Sequence, residues 1–454
     1  MRTRQHISKA CKSRCNALIG VAIGLSILAL QPPPAGAQET VPTFKNPVVF
    51  AVGDRPFGLA VADVTGGPGG APDGYPDLAV ANEDGDTVTF YVNTRDWKPV
   101  RDGFGTPTTL DVGSGTEPLE VAFAKINNDI YLDLVVTARG DNALYVFLND
   151  ANNPGQFLPP TRFGLNVPGI PNVWPRGLVI ADFDNDGLND AAVASQQLDL
   201  VVVVFNDGLG GLGGQQVDVP LNLHQGATPY DLVVGDFERS DVDSPLLDLA
   251  TANFGDDSIS VLRNNGNRDF TALRRDRPED CTTPWWGFEG IAVGRFDLGL
   301  TDDVACSAEG DDFANVFLGD GQSDFAHDCS ITRRDRYQLH PLFDTALCWG
   351  IDAGHLNGGT KQDLATALQF TREVSVLLGL GDGTFQQPAT NSGYLYSVEP
   401  PGGNPNEARN PIQVKIVDLN QDGFGDLVTS NQDSDNISVL ISTMIVAGGP
   451  GGGL

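Results

Sequence analysis

Short apolar runs alternate with polar loops along most of this chain, and the alternation has a fixed order. A first apolar stretch, such as residues 177–181, leads into an acidic loop, and a second stretch starts at the aspartate that ends the loop. A turn rich in Asn, Asp and Gly then precedes a third run, such as residues 201–205, and a looser fourth run follows. Short β-branched and aromatic runs between Gly, Asp and Asn clusters are typical of strands joined by hairpins. Each unit therefore predicts four antiparallel strands, and no segment has the period of a long helix.

The aspartate that closes the acidic loop marks a repeat. It recurs at intervals of 55 to 63 residues, as Asp77, Asp133, Asp190, Asp248, Asp303, Asp363 and Asp426. A near-constant spacing on this scale indicates a repeat architecture. Seven units of four strands predict an all-β fold, the seven-bladed β-propeller with four-stranded antiparallel blades. In that fold neighbouring blades cover the faces that one blade cannot bury alone.

The two ends of the repeat region predict how the ring closes. Residues 47–52 form an apolar run before the first unit, whereas the seventh unit ends after its third run at Ile441. We expect the N-terminal strand to complete the last blade, because this hides an otherwise exposed sheet edge. The propeller is thus expected to span residues 44–443, between a flexible segment at 38–43 and a flexible Gly-rich tail at 444–454.

Two of the seven acidic loops keep a complete set of oxygen-bearing side chains. Acidic or amide oxygens fall at positions 1, 3, 5 and 9 of a nonapeptide, with glycine at position 6. Carboxylates this close repel one another, and six to eight oxygens at roughly 2.3–2.6 Å suit Ca²⁺. The expected ligands are Asp182, Asp184, Asp186, Asp190 and the Leu188 carbonyl in unit three, and Asp418, Asn420, Asp422, Asp426 and the Phe424 carbonyl in unit seven.

Two further loops are stretched between their first and last aspartates. Unit one offers Asp63, Asp73 and Asp77, with a glycine-rich insert between the first two. Unit four offers Asp236, Glu238 and Asp248. The sequence therefore predicts two structural calcium sites and leaves open whether these two loops raise the number to four.

Three loops have lost the pattern. The first loop position is basic in units two, five and six, where it is Lys125, Arg295 and His355. We expect the basic side chain to replace the cation by pairing with the closing aspartate. The aspartate persists even in these loops, and so we expect it also to accept hydrogen bonds from loop N–H groups.

An EF-hand shares the first half of the acidic spacing. It ends in Glu at position 12 and lies between helices. Position 12 is Val193 in one complete loop and Thr429 in the other, and both flanks are β-rich. The same flanks disfavour a dockerin, which needs helices too, so a hairpin loop is the preferred interpretation.

The first 37 residues have the features of a secretory signal. A basic segment precedes the apolar residues 17–30, and Ala35-Gly36-Ala37 fits the small-residue cleavage rule. An uncleaved anchor is the alternative, although the apolar stretch is shorter than a membrane-spanning helix requires. We expect a secreted, periplasmic or cell-surface protein with no membrane span after cleavage.

Charge and cysteines narrow the expected partners and compartment. Loss of the signal, which holds five basic and no acidic residues, takes the formal charge from −31 to −36. A nucleic-acid partner is therefore not expected, because such proteins need basic patches. Four cysteines remain in the exported chain, which suggests two disulfides with three possible connectivities. The favoured pairs are Cys281–Cys329 and Cys306–Cys348.

The loops at residues 182–190 and 418–426, and turns such as residues 380–385, resemble those of the FG-GAP (VCBS) repeat family. This family also forms the head domain of integrin α-chains, and the resemblance covers roughly residues 44–443. It implies seven blades with calcium loops between the first two strands, and ligand binding on the opposite face. That face would carry aspartates such as Asp86 and Asp435. Propellers host unrelated activities, so the resemblance says little about function.

We predict an exported, monomeric, calcium-binding propeller that acts as an adhesion module for an extracellular or envelope protein or glycan. A lectin-like propeller is one alternative, because the adjacent Trp285 and Trp286 would suit stacking on sugar faces. Packing of the same pair between blades or over the disulfides is the favoured interpretation. A carbohydrate-active enzyme such as a polysaccharide lyase is the other alternative, but no catalytic residue is predicted, because no known catalytic motif is present.

Overall fold

A computed structural model describes most of the chain as one β-propeller. The described residues are 39–65, 72–97, 103–165, 167–206, 208, 211–212, 219–237, 246–276, 287–308, 312–319, 336–341, 347–388, 393–402 and 408–444. They form seven antiparallel sheets, and the predicted seven-bladed all-β fold is confirmed. Within these ranges the one helical element is the 3₁₀ turn Gln432–Ser434. No helix in this part of the chain has the length and apolar character needed to cross a membrane.

The strands are numbered in chain order, beginning with β1 (Val48–Ala51). Blade one contains β2 (Pro56–Ala62), β3 (Asp77–Asn82), β4 (Thr87–Tyr91) and β5 (Thr108–Asp111). Blade two contains β6 (Pro118–Ala124), β7 (Asp133–Ala138), β8 (Ala143–Phe147) and β9 (Thr161–Gly164). Blade three contains β10 (Pro175–Ala181), β11 (Asp190–Ser195), β12 (Leu200–Val204) and β13 (Val219–Asn222).

Blade four contains β14 (Pro229–Gly235), β15 (Asp248–Asn253), β16 (Ser258–Gly266) and β17 (Asp269–Asp276). Blade five contains β18 (Phe288–Gly294), β19 (Asp303–Ala308), β20 (Phe313–Phe317) and β21 (Arg336–Gln338). Blade six contains β22 (Cys348–Gly354), β23 (Asp363–Leu368), β24 (Glu373–Gly379), β25 (Phe385–Gln386) and β26 (Tyr394–Ser397). Blade seven contains β27 (Pro411–Val417), β28 (Asp426–Asn431) and β29 (Asn436–Leu440).

The ring closes as the sequence predicts. Strand β1 pairs antiparallel with β29, from Val48 opposite Val439 to Ala51 opposite Asn436. The last blade thus takes its outer strand from the N-terminal side of the chain, and its edge is covered.

The segment at 38–43, which the sequence predicts to be flexible, contacts blade six through its described residues. Glu39 Oε1 lies 2.5 Å from Lys361 Nζ. The hydroxyl of Tyr396 donates to the carbonyl of Pro42 at 2.6 Å. An ion pair at Glu39 and a hydrogen bond at Pro42 therefore join this segment to blade six.

The second strand of each blade is buried along its whole length, which explains its small and apolar residues. Successive side chains of a strand point to opposite faces, so they pack against opposite neighbours. In β7, Val135 packs with blade three, whereas Leu134 and Val136 pack with blade one. The described core divides into seven such clusters between adjacent blades, plus a small one near the axis.

The predicted disulfide between Cys306 and Cys348 is wrong. Both residues are buried, and they are not joined to each other. Cys306 packs between blades four and five, whereas Cys348 packs between blades five and six. The sheet of blade five therefore separates them. Cys281 and Cys329, the other predicted pair, lie outside the described residues.

Candidate cation sites

We name the segment between the first and second strands of each blade by its blade, so loop three joins β10 to β11. Its first aspartate closes the loop on itself. Asp182 accepts hydrogen bonds from the backbone N–H of Asp186 at 3.1 Å and of Gly187 at 2.8 Å. Asp186 in turn accepts from the N–H of Leu188 at 2.9 Å. Gly187 has a φ of +89°, a conformation that glycine adopts without strain.

Three of the predicted ligands of loop three come together. One oxygen from each of Asp182, Asp184 and Asp190 lies within 4.8 Å of the others, the one such group of three His, Cys, Asp or Glu in the described chain. Two oxygens bound to one Ca²⁺ are at most about 5 Å apart, so the group fits that ion. Asp186, also a predicted ligand, lies outside this group, and the Leu188 carbonyl stays a prediction.

Loop seven, between β27 and β28, repeats the same backbone pattern. Asp418 accepts from the N–H groups of Asp422 at 3.1 Å and Gly423 at 2.8 Å. Asp422 accepts from the N–H of Phe424 at 3.0 Å. Asn420 donates its amide to the second oxygen of Asp422 at 3.0 Å, which holds these two predicted ligands side by side.

Burial and mutual repulsion raise the pKa of the closing aspartate in both complete loops. The pKa of Asp190 rises to about 7, first because the carboxyl is buried and then because Asp184 and Asp186 lie nearby. The pKa of Asp426 rises to about 8 through burial and the neighbouring Asp422 and Asp418. A bound cation would relieve this repulsion, which is why such loops suit a divalent ion.

Loop one keeps the pattern despite its insert. Asp63 accepts from the N–H groups of Asp73, at 2.9 Å, and Gly74. Asp73 accepts from the N–H of Tyr75 at 2.8 Å, and Asp77 from that of Val64 at 3.0 Å. The insert, residues 66–71, lies outside the described residues. Loop one thus brings its three predicted ligands into the same backbone frame as loop three.

Loop four does not show this frame in its described part. The carbonyl of Asp236 accepts from the N–H of Asp302 in loop five at 2.8 Å, and the N–H of Asp236 donates to the Asp302 carboxylate at 2.9 Å. Asp248 accepts from the N–H of Asn264 at 2.8 Å. Glu238, the third candidate, lies outside the described residues.

The closing aspartate has the predicted structural role even where the loop has lost its other acids. Asp303 accepts from the N–H groups of Phe296 and Gly319, both at 2.7 Å. Asp363 accepts from those of Leu356 and Gly379, both at 2.9 Å. Each pair of bonds joins the loop to the end of the third strand, and the predicted structural role is confirmed.

The predicted pairing of a basic residue with that aspartate is wrong in loops five and six. Arg295 donates to the neighbouring Asp302 at 3.0 Å. His355 bonds the carbonyl of Lys361 through Nδ1 at 2.8 Å. The buried carboxylate is already occupied by two backbone N–H groups, and so the basic side chains remain at the surface.

The sequence analysis missed an asparagine that joins three of the blades to the cation loop of the preceding blade. The side-chain amides of Asn206 and Asn264 donate to the carbonyls of Ile126 and Phe183 at 2.8 Å. Asn93 donates to the carbonyl of Leu419 at 2.9 Å. An asparagine 16 residues after the closing aspartate, seen in four of the seven units, was the available signal.

A cluster at the propeller axis was also missed. It lies where the first strands begin, on the face opposite the cation loops. The guanidinium of Arg176 lies 3.7 Å from the ring centroid of Tyr230, 5.4 Å from that of Phe57 and 5.6 Å from that of Trp349. Its terminal nitrogen is 3.3 Å from Glu289 Oε2. We call these five residues the axial cluster; they come from five different blades.

Further charges lie along the same strands beneath the axial cluster. Gln413 donates to Glu120 at 3.0 Å, and Lys415 Nζ lies 3.7 Å from Asp352 Oδ1. Burial, and then the charge of Asp231, raise the pKa of Glu120 to about 8. Two ion pairs, Arg176 with Glu289 and Lys415 with Asp352, therefore lie near the axis.

Aspartates on the axial face accept backbone hydrogen bonds that connect neighbouring blades. Asp86 accepts from the N–H groups of Gly115 at 2.7 Å and Glu117 at 3.0 Å, across the junction to blade two. Asp435 accepts from the N–H of Arg55 at 2.9 Å. Trp285 and Trp286, the predicted ligand residues, lie outside the described residues.

Comparison with known proteins agrees with this architecture. Residues 126–193 match the model of the FG-GAP-like repeat. That segment runs from loop two into the second strand of blade three. No curated protein matches the chain.

Several solved propellers are similar in fold. Virginiamycin B lyase from Staphylococcus aureus aligns with a TM-score of 0.55 at 12% identity, covering 88% of this chain and 99% of that one. BBS1N, crystallised in complex with ARL6DN, aligns with a TM-score of 0.51 at 13% identity, covering 89% and 99%. At such low identity the likeness shows the fold alone.

Proposed function

We propose, from the premise that this chain is a β-propeller of the FG-GAP repeat family, that it is an exported binding module with structural Ca²⁺ in its acidic loops. The observation that carries the cation part is the convergence of Asp182, Asp184 and Asp190 oxygens within 4.8 Å. Loop seven supports it, because its backbone bonds and side-chain types repeat those of loop three.

Each residue of these loops has a distinct part in holding the ion. Asp182 and Asp418 close the turn by accepting two N–H groups each, and their carboxylates keep free lone pairs for a cation. Asp190 and Asp426 anchor the site to the start of the second strand. Bound Ca²⁺ would supply positive charge that neutralises the loop and links the end of the first strand to the start of the second.

We place the binding face at the axial cluster. Tyr230 and Trp349 are half-buried there, beside the nearly buried Arg176. Aromatic residues and arginine are enriched where proteins bind partners. The braced aspartates around the cluster hold the surface rigid, which lowers the entropic cost of binding. Together with the predicted N-terminal signal, this supports a partner outside the cytoplasm, an envelope or extracellular protein or glycan.

Calcium titration tests the cation part. We expect the mature chain to bind Ca²⁺ in isothermal titration calorimetry, and Asp184→Asn and Asp422→Asn each to weaken one site. Asp150→Asn is the matched control, because Asp150 closes an exposed turn of the same type outside the acidic loops, with Asn152 N–H at 2.9 Å. Binding that is absent in the wild type, or equal in all variants, would overturn the proposal.

Partner capture tests the binding face. The mature chain is used to bind native extracellular or periplasmic material, with a glycan array in parallel. We expect Trp349→Ala to lose the captured partner, whereas Leu298→Ala, which removes a side chain 91% exposed on the opposite face, keeps it. Equal loss in both variants would contradict a binding face at the axis.

A further inference from the structure

One arginine from blade four reaches into loop three. The third strand of blade four, β16, is nine residues long, whereas the third strands of blades one, two, three, five and seven have five. The longer β16–β17 hairpin ends in a turn at Asn267 and Arg268, whose φ angles are +53° and +63°. A non-glycine residue keeps such a conformation only where its surroundings fix it.

The side chain of Arg268 makes three contacts. Its Nε donates to Asp184 Oδ2 at 2.5 Å, a carboxylate only 8% exposed. Its guanidinium carbon lies 4.5 Å from the ring centroid of Phe205. A second nitrogen lies 3.9 Å from Asp186 Oδ2. The positive charge therefore sits on one of the three carboxylates that converge in loop three.

Loop one has a comparable arginine, which comes from its own blade. Arg95, with a φ of +64°, follows the third strand of blade one and donates through Nε to Asp73 Oδ2 at 2.9 Å. Its guanidinium carbon lies 5.3 Å from the ring centroid of Tyr75. Two separate loops thus share an arginine in left-handed backbone conformation, paired with a predicted ligand and covering an aromatic ring.

Loop seven differs from both. Among the described residues, no Lys, Arg or His forms an ion pair with Asp418, Asp422 or Asp426. The side chain of Gln421 in loop seven instead donates to the carbonyl of Gly74 in loop one. Loop seven therefore holds its carboxylates without a fixed counter-charge from this part of the chain.

We propose that Arg268 is a tethered counter-ion that competes with Ca²⁺ for loop three, and that Arg95 has the same role in loop one. The guanidinium and the metal ion need the same carboxylates and repel each other at a few ångströms. Loop three then stays closed without metal and loads only at higher Ca²⁺, while loop seven loads first. This inference rests on the proposed function, since it concerns how the same loops are filled.

Calorimetric Ca²⁺ titration of the mature chain in low salt tests whether Arg268 competes with Ca²⁺. The titrations use chains that also carry Asp422→Asn, so that loop seven is weakened and binding at loop three can be observed. In that background, we expect Arg268→Gln to tighten Ca²⁺ binding by at least about tenfold, because a positive charge near the ion is removed. Arg268→Lys, which keeps the charge, is expected to bind as the parent does. Arg162→Gln is the matched control, because it removes an ion pair with Asp141 far from the cation loops.

The outcomes separate this inference from the proposed function. If Arg268→Gln binds Ca²⁺ with unchanged or weaker affinity while its melting temperature shows an intact fold, the competitor role is overturned. The same holds if Arg268→Lys tightens binding as much as Arg268→Gln. If the wild-type chain binds no Ca²⁺ at all, the proposed Ca²⁺ sites are contradicted, and the competitor role of Arg268 is contradicted as well.

Discussion

Loops six and seven occupy equivalent places in adjacent blades, but only loop seven keeps the complete set of oxygens. Their closing aspartates make the same bonds, Asp363 to two backbone N–H groups at 2.9 Å and Asp426 to two at 2.9 and 2.7 Å. Burial is the main cause of the raised pKa in both: the pKa of Asp363 rises to about 6 with Glu39 as a nearby charge, and that of Asp426 rises to about 8 with Asp422 and Asp418 nearby. The ninth aspartate therefore stabilises the blade, whereas the other acids are needed only for the proposed Ca²⁺ site.

The strongest test of this division removes the closing aspartate. Asp363→Ala and Asp426→Ala each leave two buried N–H groups without a partner, which we expect to cost about 2–5 kcal/mol of unfolding free energy. Urea unfolding in Ca²⁺-free buffer measures both. We expect similar losses in the two loops, and a larger loss for Asp426→Ala once Ca²⁺ is added. A loss below about 1 kcal/mol for Asp363→Ala would show that the aspartate does not build the blade.

The pH dependence of loop six provides a second test. Burial raises the pKa of Asp363 from 3.8 to about 6. Between these two pH values the carboxyl is protonated in the folded chain and ionised in the unfolded chain. This contribution to stability is complete below about pH 4 and is lost as the pH rises through about 6. Asn at this position cannot ionise. We expect the unfolding free energy of wild type, minus that of Asp363→Asn, to fall by up to about 3 kcal/mol between pH 4 and pH 7.

This pH experiment uses urea titrations of both chains at matched ionic strength. Asp382→Asn is the control, because Asp382 is an exposed turn aspartate whose pKa is lowered by its hydrogen bonds to Thr384. A constant free-energy difference between wild type and Asp363→Asn across the whole pH range would contradict the assignment.

Removal of Ca²⁺ separates the complete loops from the eroded ones. At a free Ca²⁺ concentration about a hundredfold above the dissociation constant, each occupied site adds about 2.7 kcal/mol of stability. We expect excess chelator to lower the melting temperature of wild type and to have little effect on the Asp184→Asn, Asp422→Asn double variant. A wild-type melting temperature that chelator leaves unchanged would remove the structural role of Ca²⁺.

The smallest effect is expected at Arg295. Its ion pair with Asp302 involves a side chain that is 58% exposed, and exposed pairs contribute little. We expect Arg295→Gln to change the unfolding free energy by less than about 1 kcal/mol. A loss as large as that of Asp363→Ala would instead show that this arginine stands in for a cation.

The sequence was sufficient to predict the fold because the same pattern of strands and loops repeats seven times. The closing aspartate and the buried second strand recur in every blade, so the blade number and the closing strand follow from the period alone. The two complete loops followed from their own nine residues, since each loop folds on its own backbone N–H groups.

Contacts between blades were not predictable in this way. Arg268 meets Asp184 across 84 residues, and the axial cluster draws single residues from five blades. Neither the Arg268–Asp184 pair nor the axial cluster corresponds to a pattern that repeats along the sequence. The wrong disulfide between Cys306 and Cys348 has the same origin, because spacing along the chain does not show which face of blade five each cysteine occupies.

Anomalous diffraction from crystals of the mature chain grown with Ca²⁺, measured at long wavelength, tests the central claim most directly. We expect anomalous peaks in loop seven, between Asp418 and Asp426, and in loop three, among Asp182, Asp184 and Asp190. Absence of a peak from both loops at saturating Ca²⁺, or peaks only elsewhere in the chain, would contradict it.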